Sequence, residues 1–151
     1  MTQALTLREI TPDNHLEVRA LAVQPHQEGF VSSVEKSLAD AYVWKDALAR
    51  AAYLDDVVVG FILTYPFTQG AVSVINIVRL LIDAEHQGKG LGKELLTVTL
   101  NWINEFAPDL IRISSVPENK VALSLYKNMG FTETGIENGE VVLSMNIAGN
   151  A

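Results

Sequence analysis

The chain reads as a mixed α/β fold, a mostly antiparallel sheet of about six to seven strands with helices on both faces, built as one domain over residues 1–151. Three observations predict it. Apolar, β-branched runs recur along the whole chain, amphipathic helical stretches are threaded between the later runs, and no internal repeat, low-complexity tract or long linker interrupts the pattern. With 48% apolar and 19% charged residues, the 151-residue chain can bury one continuous core and lies outside the regime of disorder.

Taken in order, residues 5–10 alternate apolar and polar as a half-buried strand does, and Thr11-Pro12-Asp13-Asn14 supplies breakers and a helix cap. Apolar residues over 16–23 recur at helical spacing. Ser32-Ser33 can cap a second helix carrying Val34, Leu38, Ala41 and Tyr42. Residues 51–54 and 57–65 read as a hairpin about Asp55-Asp56. Residues 72–83 are β-branched and apolar, as a central strand covered on both faces requires, although Arg79 among them calls for a carboxylate partner. From Gly90 to Phe106 a helical stripe of Leu91, Leu95, Val98, Trp102 and Phe106 predicts a helix that Pro108 closes. A strand over 110–114 follows, then a helix over 119–128 stopped by Gly130, then strands over 131–136 and 141–147 about a polar, glycine-containing turn. Residues 1–4 and 148–151 are expected to fray.

Composition removes several functions. Without cysteine the chain has no disulfide, thiolate zinc site or thiol nucleophile, and no metal-ligand set is read from it. Eleven Lys+Arg against eighteen Asp+Glu leave a net charge of −7, which opposes phosphate-backbone binding and favours a cationic small partner, so no nucleic acid is expected. The longest apolar stretch, residues 57–67, is about half of what a membrane span needs. Arg8 and Glu9 stand where a signal peptide would carry its apolar segment, so a cytoplasmic protein is expected.

The chemistry concentrates at Gln87-Gly88-Lys89-Gly90-Leu91-Gly92-Lys93, which joins the buried strand to the long helix. Such a junction presents unpaired N–H groups and a positive dipole end to an anion, and glycines let a pyrophosphate approach the backbone. The loop is not a nucleotide P-loop, since Gln87 replaces its first glycine and Glu94 its Ser/Thr, and its G-x-G-x-G spacing is not the dinucleotide fingerprint. A glycine turn that only lets helix and strand pack closely is the plain alternative. With its flank Leu80-Leu81-Ile82-Asp83-Ala84-Glu85-His86, however, the loop resembles the acetyl-CoA signature of the GNAT N-acetyltransferase superfamily, Arg/Gln-x-x-Gly-x-Gly/Ala, matched by Gln87, Gly90 and Gly92. Downstream, Asn119-x-x-Ala122-x-x-x-Tyr126-x-x-x-Gly130-Phe131 is similar to a second segment of that family.

The resemblance implies a GNAT fold over nearly the whole chain, acetyl-CoA as donor, and direct attack by a primary amine in a ternary complex. It implies that the main chain of Gln87, Gly88, Lys89, Gly90, Leu91, Gly92 and Lys93 takes the pyrophosphate, and that main-chain groups at Leu80 and Ile82, with Leu81 between them, hold the pantetheine arm. Asn119 would contact the cofactor, although Asn also favours a helix N-cap. Tyr126 would be the general acid for the departing thiolate. Related polyamine enzymes carry a glutamate where this chain has Val78, which leaves Glu28, Glu35, His26 or a water chain as the base. Residues 24–41 look like a subgroup labelled spermine/spermidine acetyltransferase, which makes Glu28, Glu35 and Asp40 the carboxylates for a polycation. A peptide or protein amine, an aminoglycoside, and a non-catalytic coenzyme A sensor are the alternatives. Exposed edges of the final hairpin would allow a homodimer.

Overall fold

The computed structural model of the chain describes residues 4–147. Residues 1–3 and 148–151, and with them most of the frayed ends expected above, lie outside the described residues. Alternation over Leu5–Arg8 forms β1. A short helix α1 (His15–Arg19) and the longer α2 (Val34–Val43) follow, and Ser33 caps α2 by accepting from the Lys36 N–H at 3.1 Å. Strands β2 (Leu48–Leu54), β3 (Val57–Gln69) and β4 (Val72–Ile82) make an antiparallel meander. Helix α3 (Leu91–Asn104), β5 (Leu110–Ser115), α4 (Lys120–Asn128), β6 (Thr132–Glu137) and β7 (Glu140–Asn146) complete the order.

The seven strands form one sheet in the order β1-β2-β3-β4-β5-β7-β6, in which β4 and β5 are the single parallel pair and every other pair is antiparallel. The mixed, mostly antiparallel sheet expected from sequence is what forms. Helices α3 and α4 cover one face over Ile77, Leu96, Ile111 and Leu143. Helices α1 and α2 cover the other over Val18, Val34, Phe61 and Leu81. No helix among the described residues is long and apolar enough to cross a membrane.

Two irregularities of the central strands position the site. The β4–β5 ladder ends at Ile77 opposite Ile113, although β4 continues to Ile82 and β5 to Ser115, so the two strands part. At the same level Leu63 faces Arg79 while Thr64 faces Ile77, which leaves Val78 as an extra residue without a partner on β3. Such a bulge reverses the alternation of side chains. Before it, Ile75 and Ile77 point toward α3 and α4; beyond it, Ile82 packs with α3 and Leu81 packs with α1 and α2.

Some expected elements differ. Helix α1 stops at Arg19 rather than continuing to 23, because Ala22 is tied to the end of β4: its N–H donates to Asp83 Oδ1 at 2.9 Å and its carbonyl accepts from the Ala84 N–H at 2.7 Å. Tyr42 lies on the outer face of α2, 91% exposed, off the stripe made by Val34, Leu38 and Ala41. Helix α3 ends at Asn104, two residues before Phe106, since Pro108 disfavours helical geometry at Ala107, which turns left-handed at φ 51°.

Candidate active site

Where β4 and β5 part, a cleft of about 310 Å³ opens through the sheet. On the α3/α4 side its walls include Ile77, Leu80, Asn119 and Tyr126; on the α1/α2 side they include Glu28, Arg79 and Glu140. A slot open to both faces lets two reactants approach one point from opposite sides, which suits a ternary complex.

The main chain of β4 prepares one mouth. The Asp83 N–H donates to Val59 O at 2.8 Å, so the facing pairs Val59/Asp83 and Phe61/Leu81 are the hydrogen-bonded ones and the intervening pairs Gly60/Ile82 and Ile62/Leu80 are not. The polar groups of Leu80 and Ile82 therefore turn away from β3, toward the gap left by β5. Those of Leu81 turn to β3, and its side chain is buried under α1 and α2. Of the three residues singled out from sequence, Leu80 and Ile82 face the opening and Leu81 does not.

The glycine loop lies just past Ile82. A 3-10 turn (Ala84–His86) leads into it, and α3 begins with Gly90 in the left-handed region at φ 78° and no side-chain cap. The first-turn N–H groups of Leu91, Gly92 and Lys93 thus have no partner within the helix. Gly88 is also left-handed, at φ 79°, and a Cβ built on Gly88 or Gly90 would project into open space with no atom within 4 Å. The loop is a cradle that side chains would fill, bordered by the exposed Lys89 and Lys93. Gln87 reaches back: its Nε2 donates to Ile82 O at 3.0 Å and to Gln27 Oε1 at 2.9 Å. This latch joins the loop to the strand end and to the turn Pro25–Gln27. The open amides, left-handed glycines and flanking lysines fit a pyrophosphate, and the main-chain groups of Leu80 with the N–H of Ile82, whose carbonyl Gln87 already occupies, fit an amide-bearing arm, so the donor set matches coenzyme A.

Tyr126 packs edge-on to Phe131 with ring centroids 6.3 Å apart and is 6% exposed. Its hydroxyl forms no hydrogen bond among the described residues. Burial, with the negative charge of Glu140 adding to it, pushes the phenol up to about 12, so the group holds its proton at neutral pH. Asn119 caps α4, accepting from the Ala122 N–H at 3.4 Å, while lining the same cleft.

On the opposite side Arg79 meets the carboxylate expected for it, Asp40 of α2, at 3.1 Å. Burial lowers its pKa, with Asp40 and then Glu140 acting against the shift. Arg112 is paired with Glu137. Neither Glu28 nor Glu140 enters an ion pair among the described residues, although the charge of Glu140 reaches Arg79, which Asp40 already holds. Glu35 is turned elsewhere, paired with Arg19 at 3.1 Å and 64% exposed. A side pocket of about 230 Å³ shares Val78, Arg79, Ser114 and Glu140 with the cleft; in it Asn76 Oδ1 and Arg79 Nε are buried without a hydrogen-bond partner.

Glu140, Ser114 and Asn76 were not among the site residues expected from the sequence. Glu140 reads locally as the end of a polar turn, and only the register that sets Ser114 opposite Val142 brings it to Tyr126. The faint signal is alternation: Val141 and Leu143 face α4, which sends Glu140 to the other side.

Comparison with known proteins agrees with this geometry. Residues 17–131 match the acetyltransferase (GNAT) family. The chain is 28% identical over 147 residues to the spermine/spermidine N(1)-acetyltransferase of Bacillus subtilis (strain 168), covering 93% of this chain and 97% of the relative. An acetyltransferase of Bacillus subtilis solved in complex with CoA superposes with a TM-score of 0.69 at 20% identity, over 97% of this chain and 99% of that one. A GNAT family acetyltransferase from Elizabethkingia anophelis with acetyl-CoA bound gives 0.70 at 18% identity, over 97% and 100%. A parted β4–β5 pair, an open glycine cradle at the start of α3 and a family match spanning both make this chain a member of the GNAT acetyltransferase family, an enzyme that uses acetyl-CoA.

Proposed function

We propose that this acetyltransferase transfers the acetyl group to a primary amine of a polyamine such as spermidine or spermine. The observation that carries the reading is a pair of carboxylates outside any ion pair, Glu28 and Glu140, on the acceptor side of a cleft whose other side holds Tyr126. Two fixed negative charges attract a cation bearing more than one ammonium, and the chain's net charge of −7 steers it inward. Similarity to the spermine/spermidine N(1)-acetyltransferase supports the same class of acceptor. Asn76 Oδ1 lacks a donor, which a distal ammonium supplies.

In this reading the N–H groups from Gln87 to Lys93 hold the pyrophosphate, and Leu80 and Ile82 hold the pantetheine arm along the free edge of β4. Bound acetyl-CoA supplies a thioester carbonyl open to attack by an amine. Tyr126, kept protonated by burial, gives its proton to the departing sulfur. Glu28 orients a second ammonium. We also assign the protein to the cytoplasm, in keeping with a polyamine acceptor.

A second reading rests on Arg79 Nε, a buried donor without an acceptor, which no polyamine nitrogen can satisfy when protonated. A peptide carbonyl or an amino-sugar hydroxyl would satisfy it. The test is release of coenzyme A thiol from acetyl-CoA with spermidine, spermine, putrescine, aminoglycosides and lysine peptides. Greatest kcat/KM with spermidine or spermine is expected; turnover confined to peptides or amino sugars replaces the first reading with the second.

A further inference from the structure

We propose that Glu140 accepts the proton of the acceptor ammonium and so generates the nucleophile. The inference rests on the reading of the cleft as the site of acetyl transfer to an amine. Five observations carry it. Glu140 opens β7, a strand anchored in the sheet, and lines both the main cleft and the side pocket. Ser114 Oγ–H donates to Glu140 Oε1 at 2.9 Å, which fixes the carboxylate and leaves Oε2 without a hydrogen bond among the described residues. Of the charged groups that face it, Arg79 from β4 is ion-paired with Asp40 of α2 and also attracts Glu140, and Arg112 from β5 is ion-paired with Glu137 of β6. Tyr126 of α4 stands on one side and Glu28 of the α1–α2 connection on the other. Val78, on the adjacent bulge, brings no carboxylate to this space.

Glu28 is the rival, but it is exposed and sits on a connection, whereas Glu140 is partly buried, held by Ser114 and close enough to influence the Tyr126 hydroxyl. The two groups divide the proton traffic. An ammonium R–NH3⁺ loses one proton to Glu140 Oε2. The nitrogen lone pair then forms the N–C bond to the acetyl carbonyl carbon, and the C–S bond breaks with its electron pair on sulfur. Tyr126 protonates that sulfur and is restored by the second proton leaving nitrogen. Glu140 passes its proton to solvent, so one ammonium and one thioester become one amide, one thiol and one free proton.

The test compares wild type with Glu140→Gln, using as acceptor whichever amine of the panel the wild type acetylates best, across about pH 6.5 to 9.5, the range below an alkylamine pKa of about 10. Near pH 7 the variant is expected to lose roughly 10²–10³-fold in kcat/KM, the size of one general-base contribution. That loss should shrink about tenfold per pH unit, because the variant depends on amine deprotonated in solution. A variant within about threefold of wild type near pH 7, or a loss that higher pH does not relieve, overturns the proposal. Acetyl-CoA binding by calorimetry should be unchanged. Absorbance titration against Tyr126→Phe should show Tyr126 ionising at lower pH once Glu140 is neutral, and an unmoved titration also counts against the proposal.

If Glu140→Gln does not fold, Ser114→Ala decides: a loss of about threefold to tenfold with the same relief at high pH supports the role, and unchanged kcat/KM overturns it. Wild type that no amine stimulates sinks the amine reading and this inference together. Amine-dependent turnover that stays within about threefold of wild type in Glu140→Gln near pH 7 sinks this inference alone.

Discussion

Tyr126 joins a catalytic assignment to a stability effect, because one cause, burial, serves both. Replacing it with Phe keeps the ring against Phe131 and removes the hydroxyl proposed as the proton donor, so kcat should fall roughly 10²–10³-fold with the KM of acetyl-CoA unchanged, as steady-state kinetics will show. Burial, then the charge of Glu140, pushes the folded phenol up to about 12 from its ordinary 10.0. Its stabilising contribution is thus fully present below pH 10 and is lost as pH rises through 12, a difference on the order of 3 kcal/mol. Urea unfolding should show wild type losing stability over that interval while Tyr126→Phe does not lose this share. Glu35→Gln, by contrast, removes a surface pair with Arg19 and should leave kcat/KM within about twofold and stability within about 0.5 kcal/mol. The sequence offered Glu28 and Glu35 as equals, since both are acidic residues flanking the α1–α2 connection. Direction separates them: Glu28 is on a turn facing the cleft, and Glu35 is on the outer face of α2.

At the scale of elements, the glycine loop and the end of β4 work as one unit. Gly90→Ala places a side chain at φ 78° and projects it into the cradle, so acetyl-CoA affinity measured by calorimetry should weaken about tenfold or more, with a stability cost of about 1 kcal/mol. Gln87→Ala frees the loop from Ile82 and Gln27 and should raise the KM of acetyl-CoA several-fold with little change in kcat. The motif made Gln87 recognisable, but its work as a latch was hidden, because Gln27 is 60 residues away in the chain. Gly60 belongs to the same unit. A Cβ there would lie 2.7 Å from Leu81 O and 3.0 Å from Ile82 Cδ1, and strand backbone cannot step aside. Gly60→Ala should therefore cost about 1–3 kcal/mol, lowering Tm by roughly 2–4 °C per kcal/mol in thermal melts. Helix ends show the limit of local signals. Pro108 was read as the terminator of α3, yet the helix closes earlier because the residue before a proline avoids helical geometry.

Across the whole molecule, the parting of one parallel pair turns a continuous sheet into a two-sided cleft, with one wall under α3 and α4 and the other under α1 and α2. The outer strand β6 is exposed along its length, but a register shift between Glu133 and Gly135 and the charges of Glu133 and Glu137 blunt it, leaving Ile136 as its exposed apolar side chain. Such an edge resists strand-to-strand pairing, so sedimentation at micromolar concentration is expected to give the 16.5 kDa of a single chain; twice that mass would place a homodimer on another surface or on this edge, and Ile136→Lys separates the two. The order of strands and helices, the glycine loop and the two segments that resemble the family are legible in the chain, because periodicity, glycine placement and motif spacing are encoded among near neighbours. The resemblance had already named the main chain of Leu80 and Ile82, with Leu81 between them, whereas long-range pairing alone makes Val78 a bulge and brings Glu140 to Ser114 and beside Tyr126. Each of those depends on register between strands distant in sequence, where a shift of one residue sends every side chain to the opposite face.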